Sequence, residues 1–395
     1  MVFAISMAAA GDSVDFDDDE LNAFSDEVAQ FLQEFVGEAE LRRIHLQGDG
    51  HDAEVHRLLA QQGWIAGPWP TAHGGLGWSP FQAMAFRLGL RRGGYPAILL
   101  ATSTFVGHVI QQLGSDFHKA EVLPALASGE AVICLGYTEP DSGSDVMAAR
   151  TKAVLQGDEW VIDGTKMFTT GAHLARYTFL LARTDPDVAK HKGLTMFLVP
   201  LDTPGITINP VRTISDERSN AVFYDGVRVH DRWRIGDLHG GVHVLALALQ
   251  IEQGTSFLTD LECLYSASLA WARASAKVED PVVRGAIAEL ALDIELSKLL
   301  LEQGVWRRAA GVPDEGRGPM SKLFSSERLI EHTGVMLDLM GEAGCLISGT
   351  HGAVGSGEAE RLYRFAPGTT IYGGTSEILR SRIAETGLGL ARSRG

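Results

Sequence analysis

The sequence predicts an α+β chain of three units in the order helices, strands, helices. Three observations lead there. From Leu21 the apolar residues Leu21, Phe24, Val28, Phe31, Leu32 and Phe35 recur at helical spacing. Between about residues 131 and 240 the texture changes to short β-rich runs separated by turn pairs. After Gly240-Gly241 helical patterns return and lengthen, with Ile287, Leu290, Ile294 and Leu301 on one face of a helix that follows Pro281.

At 395 residues the chain is too long for one ordinary core, so two or three structural units are expected. The boundaries read as a disordered leader at 1–16, an N-terminal helical domain at 17–130, a middle β domain at 131–240 and a C-terminal helical domain at 241–395. The start is mildly apolar without a basic region and runs into the acidic residues 17–20, unlike a secretory signal or an Arg-rich transit peptide. The most apolar window, residues 95–113, is broken by Ser103, Thr104, His108, Gln111 and Gln112, which makes it a buried helix and not a membrane span.

The first helical unit is interrupted by the turn-rich Gly67-Pro68-Trp69-Pro70 and by Gly74-Gly75-Leu76-Gly77. The second cluster has the glycines of a dinucleotide loop, but no strand precedes it and no acidic partner follows, so it reads as a surface turn. In the middle unit, runs at 160–162, 177–181, 194–199, 206–208 and 222–229 are separated by Asp163-Gly164, Pro204-Gly205 and Asp225-Gly226. Strands at that spacing predict a small antiparallel barrel or sandwich, not a parallel dinucleotide-binding sheet.

A net charge of -16 argues against nucleic acid and anionic membrane as partners. The three cysteines, Cys134, Cys263 and Cys345, are odd in number and far apart, which predicts reduced, buried thiols in a cytoplasmic protein and no metal framework. His45, His51 and His56 lie in a polar stretch without metal-ligand spacing and read as surface histidines. No HExxH, paired CxxC or GxSxG motif is present.

Two segments of the middle unit carry candidate chemistry. Residues 134–145, Cys-Leu-Gly-Tyr-Thr-Glu-Pro-Asp-Ser-Gly-Ser-Asp, run from a strand end into a tight polar turn. Backbone N–H groups and the hydroxyls of Thr138 and Ser144 can there meet an anionic or heteroaromatic ligand. One strand later, Gly164-Thr165-Lys166-Met167-Phe168-Thr169-Thr170-Gly171 sets an aromatic between hydroxyls, able to stack on a ring and donate to a ring nitrogen. By itself Phe168 reads as a core side chain rather than a ligand contact. Near the C-terminus stands Tyr372-Gly373-Gly374-Thr375-Ser376-Glu377-Ile378-Leu379-Arg380.

Together these motifs closely resemble the acyl-CoA dehydrogenase family, over roughly residues 20–390 and in the same domain order. The resemblance implies an N-terminal helical domain, a middle β domain and a C-terminal four-helix bundle. It implies FAD, with Leu135, Tyr137, Thr138 and Ser144 lining the flavin and Ser144 also near the acyl-CoA. Phe168 would replace the usual tryptophan against the ring, and Thr170 would bond near flavin N5. Thr375 and Glu377 would meet the flavin and its phosphates. The implied reaction is α,β-dehydrogenation of an acyl-CoA thioester, with the β-hydride going to flavin N5 and electrons leaving through an electron-transfer flavoprotein. The family assembles as homo- or hetero-oligomers, commonly tetramers.

Departures from the family pattern are as informative. Many members carry the catalytic glutamate in the C-terminal turn; here that place is Gly373, which keeps its backbone N–H beside the substrate but brings no carboxylate. Members acting on branched or bulky acyl chains, among them actinobacterial steroid-type enzymes, can carry it eleven residues beyond a glycine that starts the first helix of the last domain. Counting from Gly241, that position is Glu252, next to the apolar run at 244–249, where partial desolvation strengthens a carboxylate as a base. The arginine that often follows is Gln253, and Gln250 and Gln253 leave room for a solvated helix-face acid. The Arg-x-Phe-Gly loop that reaches a neighbour's FAD pyrophosphate is replaced by residues 273–281, which contain no Phe-Gly, and the later glutamine-containing Gly-Gly loop is altered at 338–342. His230 stands where proline is usual. Two other readings stay open: a non-catalytic or partially FAD-binding subunit of a heteromer, and an acyl-CoA oxidase.

Overall fold

Alternation along two strands organises the centre of the molecule. The computed structural model describes residues 17–252 and 256–391, with the side chains of 250–252 outside that description; the leader at 1–16 and Gln253 lie outside it too. Strands β4 (Tyr177–Arg183) and β5 (Leu194–Pro200) pair antiparallel and are buried almost throughout. On one face Phe179, Leu181, Met196 and Leu198 join a core built with the helices, and on the other Leu180, Ala182, Phe197 and Val199 meet Trp160, Ile162 and Val222. Period-2 alternation sends neighbours to opposite faces, so a strand pair covered on both sides must be apolar at nearly every position.

The N-terminal helices are α1 (Asp18–Phe35), α2 (Glu38–Gln47), α3 (Ala53–Gln61), α4 (Pro80–Arg92), α5 (Ile98–Leu113) and α6 (Asp116–Ala127). Asp17 caps α1 by accepting from the Asp19 N–H at 2.9 Å, and Ser79 with Gln82 forms a reciprocal capping box around Pro80 at the start of α4. The apolar stripe on α1 buries Val28 and Leu32 against Phe86 and Leu90 of α4. The window at 95–113 forms α5, and Gly74 to Gly77 form a surface turn after a short 3-10 helix.

The remaining strands are β1 (Ile133–Gly136), β2 (Lys152–Gln156), β3 (Glu159–Lys166), β6 (Ile206–Arg212), β7 (Arg218–His230) and β8 (Arg234–Ile235). Their order is β6-β7-β3-β2-β4-β5-β8, with β1 placed on β4. The predicted antiparallel pairing holds except at β4, where β1 runs parallel over 133–136 and the start of β2 touches parallel at Arg183. The β1 exception has a plain cause: after β1 the chain makes the 138–145 turn and β2 and β3 before returning, and only such a long connection permits parallel pairing.

Gly241 opens the last unit: α7 (Gly241–Glu252), α8 (Leu258–Ala274), α9 (Pro281–Ala309), α10 (Arg317–Met340), α11 (Glu358–Thr369) and α12 (Ser376–Arg382). Asp280 caps α9 through the Val282 N–H at 2.9 Å, with Pro281 at its first position. Helices α8 to α11 share one core of Leu261, Leu264, Leu290, Leu329, Met336 and Leu362. Among the described residues no helix is long and apolar enough to cross a membrane, and no group of His, Cys, Asp or Glu could hold a metal.

Two expectations fail. His56 is fully buried and lies edge-on to His51 with ring centroids 4.8 Å apart, because α3 turns its face of Val55, His56 and Leu59 inward. Of the thiols only Cys134 is buried; Cys263 and Cys345 are exposed on the chain, on the outer side of α8 and in the turn after α10.

Candidate active site

The strand-end turn is held from beneath by a buried ion pair. After β1, Glu139 and Ser142 exchange backbone hydrogen bonds of 2.9 and 3.1 Å and close the turn. The Glu139 carboxylate points inward and accepts from the Arg150 N–H at 2.6 Å, the Thr151 N–H at 2.9 Å and Lys166 Nζ at 2.7 Å. Lys166 also donates to the Tyr137 carbonyl at 3.2 Å and has no exposed surface. Burial alone would push the Glu139 carboxyl up, but Lys166 and the two N–H donors hold it below the usual carboxylate range. The Met167 N–H donates to the Thr138 carbonyl at 2.9 Å, so both middle-domain motifs form one platform. Thr138 is half-exposed and Ser144 exposed on its outer side. Leu135 and Tyr137 are half-buried against the helix-facing core, the Tyr137 ring 6.0 Å from Phe179.

Beyond β3 the backbone turns Phe168 outward. The Thr169 N–H donates to the Asn220 carbonyl at 2.9 Å, Asn220 Nδ2 returns a bond to the Thr169 carbonyl at 3.0 Å, and the Thr170 N–H donates to the Phe168 carbonyl at 3.0 Å. Pinned from the far side, Phe168 takes φ +54° and leaves its ring 60 % exposed. A left-handed conformation costs a bulky residue about 1–2 kcal/mol, and an exposed ring recovers none of it by burial in the chain. The core reading of Phe168 is thereby excluded. Beside it Thr170 Oγ1 lies 3.3 Å from Ser219 Oγ, while Thr169 Oγ1 is buried with no hydrogen-bond partner among the described residues. An aromatic face held out at backbone expense, with hydroxyls next to it, fits a flat heteroaromatic cofactor such as a flavin.

The C-terminal turn follows α11. Gly373 and Gly374 take φ +64° and +95°, which glycine adopts without steric cost. Buried Lys322 of α10 pins the turn by donating from Nζ to the Gly374 carbonyl at 2.7 Å. The atom nearest to where a Cβ on Gly373 would lie is Lys322 Cε at 4.0 Å, so the space that a side chain would take stays open. The Gly373 N–H has no acceptor among the described residues. Thr375 caps α12, accepting from the Ile378 N–H at 3.3 Å. Glu377 is exposed in the first turn of α12; hydrogen bonds from its own N–H and from Thr375 hold its carboxyl below the usual range. Thr375 and Glu377 share an open groove of about 410 Å³ with Thr370, Ile371, Glu327 and Arg380.

The structure therefore brings Leu135, Tyr137, Thr138, Phe168 and Thr170 together, and separately Gly373, Thr375 and Glu377. Among the described residues no hydrogen bond joins the two groups; α11 meets the β domain through Arg364, which donates to the Ile214 carbonyl at 2.7 Å and pairs with Asp216. Glu252 ends α7, a helix that buries Val244, Leu245 and Ala248; the direction of its side chain lies outside the described residues. Sequence reading missed Glu139, Lys166 and Lys322 as the residues that hold the turns. The signal for the first two was present, since each sits inside a motif already singled out.

Comparison with known proteins decides the family. The profile described as acyl-CoA dehydrogenase, N-terminal domain matches residues 18–130, the middle domain 134–227 and the C-terminal domain 240–388. The chain belongs to the acyl-CoA dehydrogenase family. These enzymes are flavoprotein oxidoreductases that act on CH–CH groups. Acyl-CoA dehydrogenase IpdE1 of Mycobacterium tuberculosis is 31% identical over 368 residues, covering 90% of this chain and 93% of that protein. The solved Tcur3481-Tcur3483 steroid ACAD is 31% identical with a TM-score of 0.90, covering 96% of this chain and 99% of that one. The ChsE4-ChsE5 complex from Mycobacterium tuberculosis is 26% identical with a TM-score of 0.87, covering 97% and 100%. Where α8 meets α9 in this acyl-CoA dehydrogenase, Ala276 takes φ +58° and a short 3-10 turn at 277–279 runs into the Asp280 cap.

Proposed function

We propose that this dehydrogenase carries out FAD-dependent α,β-dehydrogenation of an acyl-CoA thioester, with Glu252 as the base, on a branched, cyclic or otherwise bulky acyl chain. The observation that supports this most is the Gly373 turn, which has an N–H without an acceptor among the described residues, open space and no carboxylate. Phe168, Thr170 and the 138–144 turn would hold the flavin, and Thr375 with Glu377 its far end. FAD, when bound, supplies the two-electron acceptor.

The chain's own residues do the rest. The α-C–H of a thioester is a weak acid, so charge growing on the thioester oxygen needs a donor already in place. The Gly373 N–H, without an acceptor among the described residues, suits that task. The base then approaches from α7, whose apolar flank keeps water from competing for the carboxylate. Because Gly373 brings no side chain, that wall of the site admits substituents near the thioester. Electrons leave to an electron-transfer flavoprotein, and the setting is cytoplasmic.

A second reading is a subunit of a heteromer that holds FAD incompletely. It is favoured by the loss of Arg-x-Phe-Gly between α8 and α9, and by the likeness to Tcur3481-Tcur3483 and ChsE4-ChsE5, each named as a pair of chains. The absorption spectrum of the purified chain separates the readings. We expect weak flavin bands from the chain alone, stronger bands after co-expression with a related chain, and bleaching by a bulky acyl-CoA. Stoichiometric FAD in a homotetramer of this chain excludes the heteromer; no bleaching by any acyl-CoA in either preparation excludes catalysis.

A further inference from the structure

The turn that carries Phe168 is reached from the N-terminal domain through one chain of hydrogen bonds. Asp49, in the loop between α2 and α3, pairs through Oδ1 with His173 Nε2 at 3.1 Å. His173 Nδ1 lies 3.3 Å from Nδ2 of Asn220 on β7, whose amide also donates to the Thr169 carbonyl at 3.0 Å. The loop bearing Asp49 is seated on the same strand. The Arg218 N–H donates to the Gly48 carbonyl at 2.8 Å, and a Cβ on Gly48 would lie 2.1 Å from the Asp216 carbonyl oxygen.

The direction of each bond follows from its neighbours. An arginine N–H can only donate, so the Asn220 atom 3.2 Å from Arg218 Nε is the amide oxygen. Nδ2 then supplies one N–H to Thr169 and the other to His173. His173 Nδ1 is therefore the acceptor, and Nε2 carries the proton donated to Asp49. Asn220 has no exposed surface, and this arrangement uses its amide oxygen and both amide hydrogens. A second proton on His173 would set N–H against N–H at Nδ1, and a buried amide cannot turn to water for a new partner. The surroundings favour the neutral ring. Burial first, then Arg218 on β7 and Arg212 on β6, hold His173 below its ordinary pKa against the pull of Asp49, while α5 presents the apolar Leu99 beside Ala172.

We infer that His173 is a positioning residue for the flavin: neutral, it accepts from Asn220 and keeps the Thr169-Thr170 turn pinned with Phe168 outward; protonated, it repels Asn220 and releases the turn. Asp49 brings the N-terminal domain into this control. The inference rests on the reading that Phe168 and Thr170 meet the flavin, and adds what sets them in place.

The test is fluorescence titration of the deflavinated full chain with FAD, from about pH 7.5 down to about pH 5, with its partner chain where retention needs one. The parent's apparent Kd should rise once His173 charges, by up to about tenfold per pH unit, because binding then draws on the neutral fraction. His173→Asn keeps an acceptor in place of Nδ1 and does not titrate. It should bind within about twofold of the parent at the higher pH and show no such rise. His173→Leu leaves a buried Asn220 N–H unpaired and should bind about tenfold more weakly at the higher pH. Asp49→Asn removes the charge that favours the protonated ring and should move the parent's rise to lower pH. A rise in His173→Asn equal to the parent's, or equal affinity of the Asn and Leu variants at the higher pH, overturns the inference. If His173→Leu does not fold, the pH profile of His173→Asn decides. Phe168→Gly separates this inference from the reading beneath it. Unchanged FAD affinity in Phe168→Gly overturns both; affinity lost there, with the parent's pH profile kept in His173→Asn, overturns the positioning role alone.

Discussion

Lys166 Nζ lies 2.7 Å from Glu139 Oε1, with both side chains almost wholly out of water, and this contact joins the two motifs of the middle domain. A buried pair is weak evidence of net stability, but breaking one side leaves an uncompensated charge. Glu139→Gln should therefore destabilise the protein by about 3–5 kcal/mol, while Glu139→Gln combined with Lys166→Met costs less than either change alone. Urea unfolding of the three variants measures it. A double variant whose cost equals the sum of the two single costs would show that the pair does not act as a unit.

Phe168 predicts two effects of opposite sign. Phe168→Gly relieves the left-handed backbone and removes an exposed ring, so the apoprotein should gain up to about 1 kcal/mol. The same change removes the aromatic face proposed for the flavin, so FAD affinity should fall about tenfold. Thermal unfolding of the apoprotein and fluorescence titration with FAD report the two separately. A destabilised apoprotein with unchanged FAD affinity would mean that the ring serves the fold.

Much of this arrangement is legible in the sequence, for physical reasons that can be named. The stripe from Leu21 to Phe35 and the apolar runs of β4 and β5 announce their elements because burial follows helical and strand periods locally. The outward turn of Phe168 is not legible, since it depends on Asn220, fifty-two residues later, pinning Thr169. Nor is the burial of His56: an ionisable ring beside Arg57 reads as surface, and only the packing of α3 turns it inward with Val55 and Leu59. Glu139 and Lys166 look like surface charges until the sheet brings β3 beneath the turn. Local chemistry names the platform, and long-range contacts decide which of its residues face outward.

His56 sets a pH dependence. Burial, with a smaller contribution from His51, lowers its pKa from the ordinary 6.5 to about 3. The folded state thus disfavours the charged ring, and the unfolded chain takes up the proton first. The stability it contributes is complete above about pH 6.5 and is lost as pH falls towards 3. Between pH 7 and pH 5 the loss should be about 2 kcal/mol from this residue. Urea unfolding at the two pH values should show that slope, and His56→Leu should flatten it. An unchanged slope in the variant would place the proton uptake elsewhere.

The central claim is that the base sits at Glu252 and not in the C-terminal turn. Anaerobic flavin bleaching of the FAD-loaded protein by an accepted acyl-CoA tests it most directly, comparing the parent with Glu252→Gln. The substitution keeps shape and removes proton affinity, so bleaching should slow by at least about 100-fold, the usual scale for a lost general base. FAD content and acyl-CoA affinity should change little, because neither requires that carboxylate. Bleaching of the Glu252→Gln protein at the parent rate would contradict the account and place the base on another residue or another chain.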